Sequence, residues 1–262
     1  MKKTILADAL IFDIDGVLLN VEKSFPEVIR QCVLRGWEKF CMGITDSEGY
    51  THGHEWVLKR HGAFNDDYDI VWTLLSIAAS GNKKHLSDAF PSPEGLAEEI
   101  KTCDGSSVAW VTRRYGNIVP RDAVRKMCSE LYCSKLHLLE TPMLRCDWKE
   151  LPLPVGIYTG RNLTEWELAK ECLRWDDFPT ENVIHSDSGI LKPSPKGLEM
   201  ICEKLGAEHP IFFGDTASDI KAYTAFGKGS FVAIGKLLPE AGLIYNDTQE
   251  AVEKLLNLRL GR

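Results

Sequence analysis

Ala9-Leu10-Ile11-Phe12-Asp13-Ile14-Asp15-Gly16-Val17 is an apolar run that ends in two aspartates, one residue apart, and a glycine. Successive strand side chains point to opposite faces, so Asp13 and Asp15 share a side where the chain leaves a sheet. Carboxylates held that close repel each other unless a cation or a proton sits between them. The pattern therefore asks for a hard metal ion, or for two carboxyl groups in different protonation roles. An Asp-Gly turn after a strand accounts for the same letters without chemistry. The rest of the chain has to decide between them.

From Leu151 onward, short apolar strands alternate with amphipathic helices. Leu153–Tyr158, Asn182–His185, Pro210–Phe213 and Phe231–Ile234 read as strands. Leu163–Trp175, Pro195–Leu205, Ala217–Phe226 and Thr248–Leu258 read as helices. Such alternation implies right-handed crossovers and a parallel sheet with helices on both faces. The opening strand joins that sheet, so the expected class is α/β with a Rossmann-like parallel core. Between them lies text of a different character. Phe25, Val28, Ile29, Cys32 and Val33 recur at helical spacing. Thr51 can cap a helix through Trp56 and Leu58, Asp69 another through Ile70, Trp72 and Leu75, and Ser92-Pro93-Glu94 opens a third. Pro120–Tyr132 adds a further amphipathic stretch. The expected organisation is a core of residues 1–19 and 151–262, with a helical domain of residues 20–150 inserted after the first strand.

In open parallel sheets, ligands bind outside the carboxyl ends of the strands. Those ends give a short list here. The first carries Asp13 and Asp15, the second Thr159-Gly160-Arg161-Asn162. The third is followed by Leu191-Lys192-Pro193, and the fourth ends in Gly214-Asp215-Thr216-Ala217-Ser218-Asp219. Each has a plain reading: Thr159-Gly160 as a turn, Lys192 as a solvated charge, Asp215 as a helix cap. Their conjunction at successive strand ends is what points to a site.

With those residues in place, the chain resembles the haloacid dehalogenase-like (HAD) superfamily of phosphotransferases. Asp13-Ile14-Asp15-Gly16-Val17 matches its first motif and Thr159 its second. Lys192 in Leu-Lys-Pro-Ser-Pro matches the third, and Gly214-Asp215-x-x-x-Asp219 the fourth. A long helical insert directly after motif one looks like the cap of subfamily I. Asp15-Gly16-Val17-Leu18-Leu19, Ala63-Phe64-Asn65-Asp66-Asp67-Tyr68-Asp69 and Thr159-Gly160-Arg161-Asn162 are together similar to a poorly characterised branch. Some members of that branch are linked with histidine-biosynthesis enzymes.

The resemblance implies a chemistry. Asp13 is the expected nucleophile, forming an aspartyl-phosphate. Mg2+ is expected on the Asp13 carboxylate, the Asp15 backbone carbonyl and Asp215. Asp15 is expected to protonate the leaving oxygen and later deprotonate water. Thr159 and the following amide take phosphoryl oxygens, Lys192 offsets their charge, and Asp219 orients Lys192 or a metal-bound water. Gly16, Gly160 and Arg161 are the expected substrate contacts. Dehalogenases of the superfamily lack the second acid, and phosphonate-cleaving relatives carry a different residue there. That leaves a phosphatase acting on a small phosphorylated metabolite, with a phosphomutase as the alternative. A non-catalytic phosphate-binding module that kept the fold is a third reading.

Composition sets the outer bounds. The 262 residues are 44% hydrophobic and 26% charged, ordinary for a packed soluble protein. A net charge of −7 argues against nucleic acid or an anionic membrane as the main partner. Asp8 interrupts the first apolar stretch before a secretory core forms, and no window approaches a membrane span, so the expected compartment is the cytoplasm. Eight cysteines form no Cys-x-x-Cys and read as buried reduced thiols. His52, His54 and His61 read as partly exposed helix residues rather than a metal site. Trp37, Trp56, Trp72 and Trp110 read as helix-packing core. Arg113, Arg114 and Arg121 are solvated charges, or reach a second anionic group.

Overall fold

The computed structural model describes residues 7–46, 49–64 and 66–260. Asn65 and the first residues of the amino-terminal stretch lie outside the described residues. The chain forms two compact units, Met1–Glu22 with Leu138–Arg262, and Lys23–His137.

In chain order the elements begin with β1 (Ala9–Phe12) and β2 (Leu19–Asn20). Six helices follow: α1 (Phe25–Cys41), α2 (His52–Lys59), α3 (Asp67–Ser80), α4 (Pro93–Ile100), α5 (Ser107–Tyr115) and α6 (Arg121–Lys135). The chain then runs through β3 (Thr141–Pro142), β4 (Val155–Tyr158), α7 (Leu163–Leu173), β5 (Val183–Ile184), α8 (Lys196–Leu205) and β6 (Pro210–Gly214). It closes with α9 (Ala217–Phe226), β7 (Ser230–Ile234), β8 (Ile244–Tyr245) and α10 (Thr248–Leu256).

The first unit is built on a six-stranded sheet in the order β5-β4-β1-β6-β7-β8, parallel throughout. β1 is central and fully buried, which is why its sequence is an unbroken apolar run. Its residues divide between two cores by strand alternation. Leu10 and Phe12 join Trp166, Trp175, Phe178, Phe213 and Val252 on one face. Ile11 joins Tyr158, Leu198, Ile201, Phe212 and Ala222 on the other. The Phe12 and Phe213 rings stack at 4.6 Å across the two central strands. From β1 the chain moves outward through β4 and β5, then returns to β6 on β1's other side. The order therefore reverses between β1 and β6, and that switch point opens a crevice at their carboxyl ends.

Two parts of this unit were not foreseen. Ile244–Tyr245 adds an eighth strand at the sheet edge, too short to show periodicity. Leu19–Asn20 pairs antiparallel with Thr141–Pro142 in a two-stranded ribbon, and the Met143 amide donates to the Leu18 carbonyl at 2.8 Å. Because of this pairing the first unit resumes at Leu138, whereas the sequence placed the return at Leu151.

The second unit is helical, with only an isolated bridge between Ile44 and His85 among its described residues. α3 is buried from Tyr68 to Ala78 and packs against α1, α5 and α6, as expected of a helix apolar on all sides. Its cap is Asp66, whose Oδ1 accepts from the Tyr68 and Asp69 amides at 2.9 and 3.0 Å. Asp69, the expected cap, instead sits inside the helix. Its carboxylate receives both Arg121 Nε and Nη2 at 2.7 and 2.8 Å, with Arg125 Nη1 at 3.0 Å. Arg121 is therefore a structural ion-pair partner, while Arg113 meets the exposed carboxylate of Asp104 and Arg114 the half-buried one of Glu99. α5 itself was not anticipated. Trp37, Trp72 and Trp110 are core, but Trp56 is exposed beneath the Arg60 guanidinium. His54 is buried rather than half-exposed. It lies within reach of the Thr51 hydroxyl at the helix cap and of the Pro91 carbonyl at 2.9 Å. Among the described residues no helix is long and apolar enough to cross a membrane.

The capping assignment is testable. Asp66→Ala is expected to cost about 0.5–2 kcal/mol, the usual loss of an N-cap. Asp69→Ala is expected to cost more, because it strands Arg121 beside a buried helix and removes one of the two carboxylates on Arg125. Urea unfolding followed by circular dichroism separates the two; equal losses would contradict the assignment.

Candidate active site

The turn after β1 is wound tightly. The Ile14 carbonyl accepts from the Val17, Leu18 and Leu19 amides at 3.2, 2.9 and 2.9 Å, and Gly16 donates to the Leu19 carbonyl at 2.9 Å. Gly16 has φ +71°, and a Cβ there would stand 2.3 Å from Asp215 Oδ2. Only glycine lets this loop approach the end of β6 so closely. The expected role of Gly16 as a substrate contact thus sits beside a definite structural one.

Asp13 and Asp215 follow the two strands that flank the switch point. Asp13 is buried, with Lys192 Nζ 2.8 Å from its Oδ1. The same ammonium lies 2.8 Å from Asp219 Oδ1, and Asp219 is fully buried. Asp219 Oδ2 accepts from the Asp215 amide, the Thr216 amide and the Thr216 hydroxyl at 3.2, 2.9 and 2.6 Å, closing a capping box at the start of α9. Asp219 is thereby committed to α9 and Lys192. Asp215 Oδ1, by contrast, is buried with no hydrogen-bond partner. The Lys192–Pro193 peptide is cis.

The electrostatics follow from this crowding. Burial raises the Asp13 carboxyl, Lys192 opposes it, and the charges of Asp219 and Asp15 add to the rise, leaving it at about 7. Burial, then Asp219 and Asp13, push Asp215 well above the ordinary carboxylate range. Burial alone would lower the Lys192 ammonium, but Asp13 and Asp219 outweigh it and hold it above its usual value. Oxygen atoms of Asp13, Asp215 and Asp219 lie within 4.8 Å of one another, the one three-carboxylate grouping of this kind among the described residues. A bare, buried Asp215 oxygen next to Asp13 suits a small, oxygen-seeking divalent cation. The Asp15 side chain is not in that grouping.

Thr159 ends β4, buried, with its amide donating to the Ile184 carbonyl at 2.9 Å and its Oγ1 accepting from the Arg161 amide at 3.1 Å. Gly160 is exposed, with open space where a side chain would be. Arg161 departs most from expectation. Its side chain is 1% exposed and turns inward, with Nε and Nη2 on Asp15 Oδ1 at 2.9 and 2.6 Å and Nη2 on Glu140 Oε2 at 2.9 Å. A guanidinium so enclosed has no surface to offer a substrate. Glu140, also 1% exposed, was missed altogether. It lies just before β3 in a stretch assigned to the helical insert, and no local spacing ties it to Asp15. A separate cavity of about 750 Å3, lined by Thr141, Arg145, Asp147, Cys172 and Arg174 among others, includes none of these site residues.

The family model for haloacid dehalogenase-like hydrolases matches residues 7–227. The imidazoleglycerol-phosphate dehydratase of Phytophthora nicotianae is 26% identical over an alignment of 261 residues that covers 95% of this chain and 48% of that protein. The chain thus spans about half the length of the curated relative it matches. A phosphatase from Thermococcus thioreducens is similar in structure, at 24% identity and a TM-score of 0.67, covering 95% of this chain and 99% of that one. A protein provisionally named phosphoglycolate phosphatase, from Lactobacillus delbrueckii subsp. bulgaricus, is 19% identical with a TM-score of 0.61 over 97% of this chain and 99% of that one. At these identities the structural likeness carries the fold. The family model, spanning most of the chain and all four strand-end segments, carries the kinship: this chain belongs to the haloacid dehalogenase-like hydrolases.

Proposed function

We propose that the chain is a magnesium-dependent phosphomonoester hydrolase that acts on a small phosphorylated metabolite through an aspartyl-phosphate on Asp13. The observation that carries this reading is the pairing of Asp13 with Lys192 at 2.8 Å beside an unpartnered, buried Asp215 oxygen. A nucleophilic carboxylate, a fixed cation and a vacant oxygen ligand are the parts that phosphoryl transfer needs.

In this reading the ion is held by Asp13 and Asp215, with the Asp15 carbonyl as a further ligand. When bound, it supplies the positive charge that lets a carboxylate meet a phosphate dianion. An Asp13 oxygen attacks phosphorus in line as the ester P–O bond breaks, and Asp15 gives the departing oxygen its proton. Asp15 then takes a proton from water as that water displaces Asp13 and inorganic phosphate leaves. Lys192 and Thr159 share the charge of the phosphoryl oxygens, and Asp219 keeps Lys192 in place. Eight free thiols suit the reducing cytoplasm. A phosphomutase would use the same first half and return the phosphoryl group to substrate.

Magnesium at millimolar concentration is expected to raise the thermal midpoint, since a ligand at a hundred times its Kd adds about 2.7 kcal/mol. Asp215→Asn is expected to lose that rise. An undiminished shift in the variant would remove Asp215 from the metal site.

Asp13→Asn is expected to cut phosphate release from an aryl phosphate by about a thousandfold or more, and chelation to silence the wild type. Asp15→Ala is expected to slow release by about a hundredfold or more while keeping the magnesium shift. Persistent turnover in Asp13→Asn would end the mechanism. A bisphosphorylated intermediate without free phosphate would turn the reading to a mutase. A screen of phosphomonoesters, with imidazoleglycerol phosphate among them because of the relative's name, addresses the substrate.

A further inference from the structure

We propose that Arg161 and Glu140 are positioning residues for Asp15, forming a buried carboxylate–guanidinium–carboxylate chain that fixes one oxygen of Asp15 and leaves the other to carry the proton. The inference rests on the phosphatase reading above, in which Asp15 is the proton carrier.

Both Arg161 contacts, at 2.9 and 2.6 Å, fall on Asp15 Oδ1, and no contact among the described residues falls on Oδ2. The two oxygens of the carboxylate are thereby made unequal. Exposure follows the same division: Arg161 and Glu140 are each 1% exposed, whereas the Asp15 side chain is 33% exposed. The chain runs from a closed interior to an open tip.

Arg161 is itself held at several points, among them Nη1, which donates to the Glu165 carbonyl at 3.4 Å. Its amide donates to Thr159 Oγ1 at 3.1 Å, its carbonyl accepts from the Ser186 amide at 2.8 Å, and Nη2 donates to Glu140. Glu140 immediately precedes β3, which pairs with β2 only a few residues beyond Asp15. The loop carrying Asp15 and the segment carrying Glu140 are thus tied together by backbone as well as by the guanidinium. Burying a glutamate and an arginine is costly, and an arginine meant for substrate would not need a second, fully enclosed carboxylate. The planar fork of arginine suits the task, since it sets the plane and direction of the carboxylate it grips. Proton transfer to a departing oxygen is sensitive to that direction, and small misplacements cost large factors in rate.

The test compares two aryl esters in the full-length protein with magnesium. Phenyl phosphate needs a proton on its leaving oxygen; dinitrophenyl phosphate releases a stable phenolate without one. The readout is kcat/KM, which reports only the steps through departure of the leaving group. Glu140→Gln keeps an acceptor for Arg161 and Arg161→Lys keeps a cation, so either variant serves if the other fails to fold. For both, kcat/KM on phenyl phosphate is expected to fall about tenfold to a hundredfold, and on dinitrophenyl phosphate less than about threefold. Asp15→Asn is expected to show the same selectivity, more deeply. Equal losses on the two esters, or no loss on either, overturn the proposal while wild-type turnover leaves the phosphatase reading standing. Wild-type protein that hydrolyses neither ester removes that reading, and the positioning role with it.

Discussion

Everything at the site depends on one ammonium shared by two buried carboxylates. Lys192 stands 2.8 Å from both Asp13 and Asp219, and Asp215 adds a third acid to the same small volume. Two buried carboxylates and a half-buried third against a single cation leave an excess of negative charge that solvent screens poorly. Part of that cost is expressed in the upward shift of Asp13 and Asp215, and part is offset by the amides and hydroxyl that Asp219 collects at the start of α9. The remainder is an unmet demand for positive charge. In the proposed reading it is met by a metal ion, and then by a reaction in which negative charge moves.

The sheet makes this crowding possible. β1 and β6 run side by side, in register from Ala9 opposite Pro210 to Phe12 opposite Phe213, so the residues after them emerge together. The strand order reverses between them, which opens a crevice at their carboxyl ends. The aromatic pair Phe12–Phe213 lies directly beneath the acids and fixes the spacing of the strand ends. Gly16 completes the arrangement by letting the Asp15 loop close against Asp215. Packing thus sets the acids at their distances before any ligand arrives.

Much of this was legible in the chain because it is written in continuous local text. An apolar run cut short by carboxylates marks a buried strand with a polar exit, and four such exits in strand–helix alternation mark one edge of a sheet. What escaped has no local text. β8 and the ribbon of β2 with β3 are two-residue pairings, visible only once partners meet. Asp66 and Asp69 are the same residue type three positions apart, and only the folded cap shows that Asp66 takes the α3 amides while both share Arg125 and Asp69 alone holds Arg121. His54 and Trp56 have the reverse of their expected exposures, because the buried face of α2 runs through His54, Glu55 and Leu58. Glu140 could not be found by spacing, since the side-chain contact that relates it to Asp15 passes through Arg161.

The aspartate pair at the start of the chain shows where the limit lies. As letters, Asp13 and Asp15 are interchangeable, and alternation places them on one side of the strand. Their separation into different chemical groups comes from the cations that meet them. Lys192 reaches Asp13 from the segment before α8, inside the crevice, while Arg161 reaches Asp15 from the end of β4, at its rim. One carboxylate is buried among other acids and an ammonium; the other is anchored by one oxygen and a third exposed. A buried carboxylate beside a fixed cation suits attack on phosphorus, and a carboxylate with one free oxygen near solvent suits carrying a proton. In the proposed reading the division of labour is therefore a property of the partners, and the partners are brought in by the order of the strands.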